Sequence, residues 1–215
     1  MPFRFSHCGH WDGHWFVCLD NIYEDVKRGM CLVYSYGIAD NLLFEEEMAS
    51  LGCVVHAYDP TVDVQSEAVK IHQVGLSYFN GKTTIQVNQD NINPILEELE
   101  VMTLAEAMAV NGDGDSQVSY LKVDVESHEI SAIPEWLQSG VLDNVRQIGL
   151  EIHTGSLALD KEERPVVLRQ LLICLLEFYK LGFRVVSFNP NYCMNRDQCY
   201  DKQFYTFANL VLFKP

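Results

Sequence analysis

An α/β fold, with a mostly parallel, doubly wound sheet and an antiparallel C-terminal strand, is what the order of patterns along this chain predicts. Three observations carry it. Short apolar runs of strand length recur at 31–36, in a run ending on Asp59, and at 71–74, 120–124, 147–153 and 183–188, mostly with helical stretches between them. The first two runs enclose a complete strand–turn–helix–strand unit, CLVYSYGIADNLLFEEEMASLGCVVHAYDPT. The last run, 204–213, is reached through a polar loop (189–203) with no helix, so it should pair antiparallel.

The unit at 31–61 is the most informative. A strand (31–36) meets a tight turn at Gly37, then a helix (about 42–51), then the strand ending on Asp59, 22 residues beyond Gly37. Such a unit is built to hold a nucleoside: the turn lets a ligand approach the backbone, and the carboxylate accepts both ribose hydroxyls. A βαβ unit without ligand is the competing reading. The turn itself, Tyr36-Gly37-Ile38-Ala39-Asp40-Asn41, has one glycine and an acid where a dinucleotide site needs G-x-G-x-x-G. Asp40 would repel a diphosphate but suits a cationic sulfonium that carries an amino group. No phosphate-cradling G-x-x-x-x-G-K-[ST] loop occurs either. S-adenosylmethionine is therefore the cofactor these residues predict.

Further along, Gly75-Leu76 follow the 71–74 strand, and Asn80-Gly81 reads as the turn of a hairpin joining 76–79 to 83–87. Residues 93–109 are helical in character, and 111–116 (NGDGDS) form a polar loop. A short buried strand at 120–124 ends on Asp124. Residues 130–138 read as a helix with Pro134 near its start, 147–153 as a strand, and 165–181 as a long amphipathic helix. With no repeat and no linker, the chain reads as one domain over 1–215, with 1–30 as an N-terminal extension packed on it.

Composition sets limits on partners. At 215 residues and 48% apolar content the chain can bury a full core. A formal charge of −15 argues against nucleic acid, whose phosphates require clustered Lys and Arg. The acid runs 45–47 and 97–100 read as solvated helix faces. The longest apolar stretch, 166–176, is broken by Arg169 and Gln170, so no run reaches membrane-spanning length. Of the seven cysteines, Cys31, Cys53 and Cys174 lie in apolar runs and read as core residues. Cys8 with Cys18, and Cys193 with Cys199, lie in polar stretches where each pair could close a local disulfide. The N-terminal crowd of His7, Cys8, His10, His14 and Cys18 lacks a regular zinc-ligand spacing.

Particular blocks resemble a known family. The predicted sheet, ending in an antiparallel hairpin, resembles the Rossmann-like class I S-adenosylmethionine-dependent methyltransferases. YLKVDVESHE (120–129) is similar to the LKxDVEGxE signature of the FkbM-type methyltransferases. WDGHWFVCLD (11–20), YGIADNLLFEEEM (36–48), GCVVHAYDPT (52–61) and IGLEIHTG (148–155) resemble the animal methyltransferase-like protein twenty-four group. Two positions depart from the family pattern: Ala39 stands where a second glycine is usual, and Ser127 where DVEG has its glycine. The resemblance implies that Gly37, Ile38, Ala39 and Asp40 line the methionine end of the cofactor. Asp59, with Pro60, would hold the ribose, and Gly75 and Leu76 the adenine. Glu45 is a further candidate partner near the first helix, with a solvated helix residue the favoured reading. The resemblance also implies the secretory pathway, or the cytosol if the chain is complete as given.

Methyl transfer needs an aligned nucleophile and, for a hydroxyl or protonated amine, a proton acceptor. In open sheets the ligand crevice lies beyond the C-terminal ends of the strands. Asp124 and Glu126 end one strand, Glu151 and His153 the next, and period-two alternation puts each pair on one side. His153 is the candidate general base. Asp124, Glu126 and Glu151 complete the catalytic set. The same four residues have the oxygen and nitrogen chemistry of a divalent-metal site, which is the less favoured reading. The function read here is methyl transfer to an oxygen or nitrogen of a small molecule, glycan or peptide. The rivals are a nucleotide-sugar or nicotinamide enzyme, which this turn does not suit, and a non-catalytic binding module of the same fold.

Overall fold

The structure, a computed structural model, describes residues 5–8, 15–86, 95–153, 163–190 and 202–209. β1 (Phe5–Cys8) and β2 (Trp15–Cys18) pair antiparallel and lead into α1 (Leu19–Lys27). The strand–helix–strand unit follows as β3 (Leu32–Tyr36), α2 (Leu43–Ser50) and β4 (Val54–Tyr58), with β3 and β4 parallel. Every residue of β3 is buried, as expected of a central strand covered on both faces. Its alternation divides two cores. Leu32, Tyr34 and Tyr36 pack in one with Trp136, Leu150 and Phe178, whereas Val33 packs in the other with Trp15, Phe44 and Met48.

β5 (Lys70–His72) extends the sheet beyond β4. The next stretch departs from the sequence reading. β6 (Gly75–Leu76) and β7 (Gly81–Gln86) do not pair with each other; both flank β8 (Leu96–Met102), parallel and antiparallel respectively. The expected 76–79/83–87 hairpin is thus replaced by β7–β8. Of the expected 93–109 helix, the described residues form a strand over Leu96–Met102 and a helix only in α3 (Leu104–Asn111). The physical cause lies in Glu98-Leu99-Glu100-Val101, which alternates with period two: Val101 is buried while Glu98 and Glu100 stay exposed. Lys82 on β7 pairs with Glu98 across the ladder at 3.1 Å. The helix begins later because Thr103 caps it, its side chain accepting the Glu106 N–H.

On the other side of β3 lie β9 (Tyr120–Val123) and β10 (Gln147–His153), both parallel, with α4 (Glu129–Ser139) between them. α5 (Glu163–Lys180) leads to β11 (Phe183–Pro190), and β12 (Lys202–Asn209) inserts antiparallel between β10 and β11. The order β11–β12–β10–β9–β3–β4–β5 is the doubly wound, mostly parallel sheet with an antiparallel last strand. Strand order reverses between β3 and β9, where such sheets open a crevice at the strands' C-terminal ends. Among the described residues, no helix is long and apolar enough to cross a membrane.

The cysteines correct the sequence reading. Cys31 and Cys53, read as core thiols, form a disulfide with a Cα separation of 4.5 Å. Each immediately precedes its strand, and the Leu32↔Val54 register sets them side by side. A Cys8–Cys18 bridge is excluded by register: Cys8 faces Trp15 while Cys18 faces Phe5. Three rungs of about 3.3 Å separate them, beyond disulfide reach. Cys18 is a buried free thiol. Cys193, Cys199, His10, His14 and the side chains of His7 and Cys8 lie outside the described residues.

Candidate functional site

The turn after β3 is set by close approach. Gly37 has φ 76°, and a Cβ there would run into the Asp124 carbonyl. Glycine alone lets the turn close on the end of β9. Beneath it, Lys122 Nζ donates to the Gly37 carbonyl at 3.0 Å and pairs with Glu45 at 3.3 Å. Glu45 also accepts from the Ser35 hydroxyl at 2.5 Å. Far from being a solvated helix residue, Glu45 is fully buried, and Lys122 nearly so, at 0% and 6% side-chain exposure. A charge pair this deep is held by its mutual attraction, the Ser35 hydroxyl and the Gly37 carbonyl, while Glu45 Oε2 has no hydrogen-bond partner.

Asp59 follows β4 and is buried. Its Oδ2 accepts the Ala39 N–H at 3.0 Å, and its Oδ1 accepts the Thr61 N–H and hydroxyl at 2.9 and 2.7 Å. The Oδ2 bond holds Ala39 at φ 47°, in the left-handed region. Oδ2 keeps one acceptor position for a ligand. Ile38 turns into the core, whereas Ala39 and Asp40 are exposed to solvent.

A cleft of about 260 Å³ opens over the C-terminal ends of these strands. Gly37, Asp59, Pro60, Gly75 and Leu76 line it on the donor side, and Asp124 and Glu126 on the other. Ile85, Leu99 and Val101 supply an apolar wall from the β7–β8 hairpin, which the sequence reading had not built. His128 also lines the cleft.

His153 and Glu151 stand behind Asp124, buried on one side of β10. His153 Nε2 lies 3.6 Å from Asp124, 3.5 Å from Glu126 and 3.5 Å from Glu151. The strand pairing brings Asp124 and Glu151 together as expected, but Glu126 arrives by another route. β9 ends at Val123, and Glu126 and Ser127 take φ 46° and 82°, so a left-handed turn swings Glu126 back toward the imidazole. Ser127 Oγ donates to the His153 carbonyl at 3.3 Å. The residue that orients His153 went unread in the sequence. Glu129, fully buried, accepts the His153 backbone N–H at 2.6 Å and lies 3.3 Å from Nδ1. Its signal was present as the last acid of YLKVDVESHE.

Burial works against a charge on His153, but the Glu129 hydrogen bond and the charges of Glu129, Glu126 and Asp124 outweigh it and raise the pKa. Burial raises the Asp124 carboxyl, against the opposing pull of Lys122 and His153. The cluster therefore holds a proton more readily than isolated groups would, with Asp124 and Glu126 the members that face the cleft.

A family model described as a methyltransferase domain matches residues 3–205. Two curated relatives, each described as "Probable methyltransferase-like protein 24", from Homo sapiens and Rattus norvegicus, are 27% identical over 147 residues. The match covers 65% of this chain and 38% of each relative, so the chain spans well under half the length of the curated relatives it matches. Among solved structures, a "Putative hemolysin from Streptococcus thermophilus" is 11% identical with a TM-score of 0.46, covering 93% of this chain and 69% of that one.

Proposed function

The chain belongs to the methyltransferase-domain family, and from that premise we propose that it is an S-adenosylmethionine-dependent methyltransferase acting on an oxygen or nitrogen acceptor. The observation that carries the reading is the two-sided cleft at the sheet's reversal point, with Gly37 and Asp59 on one side and Asp124 on the other. The residues suit the donor. Gly37, the one residue of the turn that lines the cleft, would take its methionine end, with Ile38, Ala39 and Asp40 shaping the turn behind it. Asp59 and Pro60 would take the ribose, and Gly75 and Leu76 the adenine, whose ring would find the apolar wall of Leu99 and Val101. When bound, the donor supplies an electrophilic methyl group on a cationic sulfur.

The chain's own work is alignment and proton removal. Asp124, with its raised pKa, is the better base for accepting a proton from the acceptor. His153, fixed by Glu129, and the carboxylate of Glu151 hold the charge behind it, with Glu126 beside it at the cleft. We take the acceptor to be a small molecule, glycan or peptide, since the charge of −15 disfavours nucleic acid. The Cys31–Cys53 disulfide supports an oxidising, secretory compartment. A single domain with 1–30 as an extension fits the pairing of the Cys18 backbone with Gln147 on β10.

Calorimetry tests the reading. S-adenosylmethionine should bind and NAD should not. Asp59→Asn should weaken donor affinity roughly tenfold through loss of one charge-assisted hydrogen bond. Equal affinity in the variant, with an unchanged melting temperature, would remove Asp59 from the donor site. Donor binding without transfer to any acceptor would favour the binding-module reading.

A further inference from the structure

We propose that Asp124, Glu126 and His153 form a binding site for a divalent ion of the manganese or zinc kind, with open coordination positions facing the cleft. The inference deepens the acceptor side of the methyltransferase reading, and rests on that reading for the ion's role but not for its binding.

The carrying observation is His153. Its side chain is 2% exposed, and Nε2 has no hydrogen-bond partner. That nitrogen nevertheless points into carboxylate oxygens at 3.5–3.6 Å. These separations are long for hydrogen bonds. They suit two ligands of one ion: with bonds of about 2.1 Å, neighbouring ligands stand about 3.0 Å apart in an octahedron and about 3.4 Å apart in a tetrahedron. The ligand atoms of Asp124, Glu126 and His153 all lie within 4.8 Å of one another.

The surroundings agree. Glu129 at Nδ1 fixes the ring and leaves the Nε2 lone pair for an ion, the arrangement that backs metal-ligating histidines. The carboxylates of Asp124, Glu126, Glu151 and Glu129 all face this one imidazole, so a divalent charge relieves their repulsion. One nitrogen and two carboxylates suit manganese or zinc; calcium takes six to eight oxygens. Asp124 and Glu126 also line the cleft. An ion they hold would bind an acceptor hydroxyl there and lower its pKa, taking over from Asp124 the task of easing its deprotonation.

The test is Mn²⁺ titrated into chelator-stripped protein, followed by loss of the free-ion EPR signal and by spin-echo modulation from coordinated nitrogen. One Mn²⁺ per chain should bind, with modulation from a single imidazole. His153→Gln should abolish the modulation. Glu126→Gln alters a side chain 67% exposed, so the fold should survive, and should weaken binding roughly 10- to 100-fold. Unchanged binding in Glu126→Gln, or no uptake at millimolar Mn²⁺, overturns the site, as does bound Mn²⁺ without nitrogen coupling. Titrating S-adenosylmethionine into the same stripped protein separates the two readings. Donor binding without Mn²⁺ uptake refutes only the ion site, and Mn²⁺ uptake without donor binding refutes only the methyltransferase assignment.

Discussion

Lys122→Met isolates the buried charge that supports the donor turn. Methionine has nearly the length of lysine and can pack against the Trp15 and Phe44 rings, which lie 5.2 and 5.9 Å from the ammonium. Packing is thus largely kept while the charge is lost. Glu45 would then be fully buried with only the Ser35 hydroxyl to stabilise it, and the Gly37 carbonyl would lose its cationic donor. Stranding one member of a buried pair costs about 3–5 kcal/mol. The Gly37 bond, worth about 1.5–3 kcal/mol alone, overlaps that figure rather than adding to it. Urea unfolding should therefore show a loss of about 3–5 kcal/mol at an unchanged m value. The second arm is Lys122→Met with Glu45→Gln, which removes the stranded charge and should recover about 2 kcal/mol or more. A loss below about 1 kcal/mol in the single variant would refute the reasoning. So would a double variant whose loss is the sum of the two single losses.

Two further outcomes follow from the same structure. The Cys31–Cys53 bridge closes a loop of 22 residues, so reduction should lower stability by roughly 3 kcal/mol, and thiol titration in denaturant without reductant should find two thiols fewer than with it. An equal count in both would remove the bridge. His56 stacks between Tyr34 and His72, with Asp113 at 3.4 Å and the charge of Lys70 nearby, and burial lowers its pKa from 6.5 to about 4. The unfolded chain therefore takes up this proton first: the stability is full above pH 6.5 and falls as the pH drops toward about 4, by at most about 2 kcal/mol at pH 5. The chevron-free check is a series of urea midpoints, whose fall between pH 7 and 5 should be shallower in His56→Gln; identical slopes would assign the pH dependence elsewhere.

Much of the architecture was legible because the chain's local signals agree with one another. The turn at Gly37, the acid at Asp59 and the apolar run ending at His153 each point to the same sheet. What was misread depended on partners far along the chain. Glu45 sits in an acid run that reads as solvated, and only Lys122 on another strand explains its burial. Glu97 to Glu100 look like a helix face until β7 lies beside them. Cys31 and Cys53 become neighbours through a register that neither run encodes alone, although their equal offset from two adjacent strands was a usable clue.

The two departures from the family pattern draw these points together. Ala39 and Ser127 stand where the resembling sequences carry glycine, and both take positive φ, at 47° and 82°. A residue with a Cβ is strained there by about 1–2 kcal/mol, so something must hold each in place. At Ala39 the holder is Asp59, whose Oδ2 accepts the backbone N–H. At Ser127 it is the side chain itself, donating to the His153 carbonyl. Each compensation ties a strained turn to a residue of the candidate site, Asp59 on the donor side and His153 on the acceptor side. Both turns thus depend on residues that would hold the ligands. That coupling favours reading both turns as parts of one working cleft, because turns free to drift would have no reason to be pinned in this conformation.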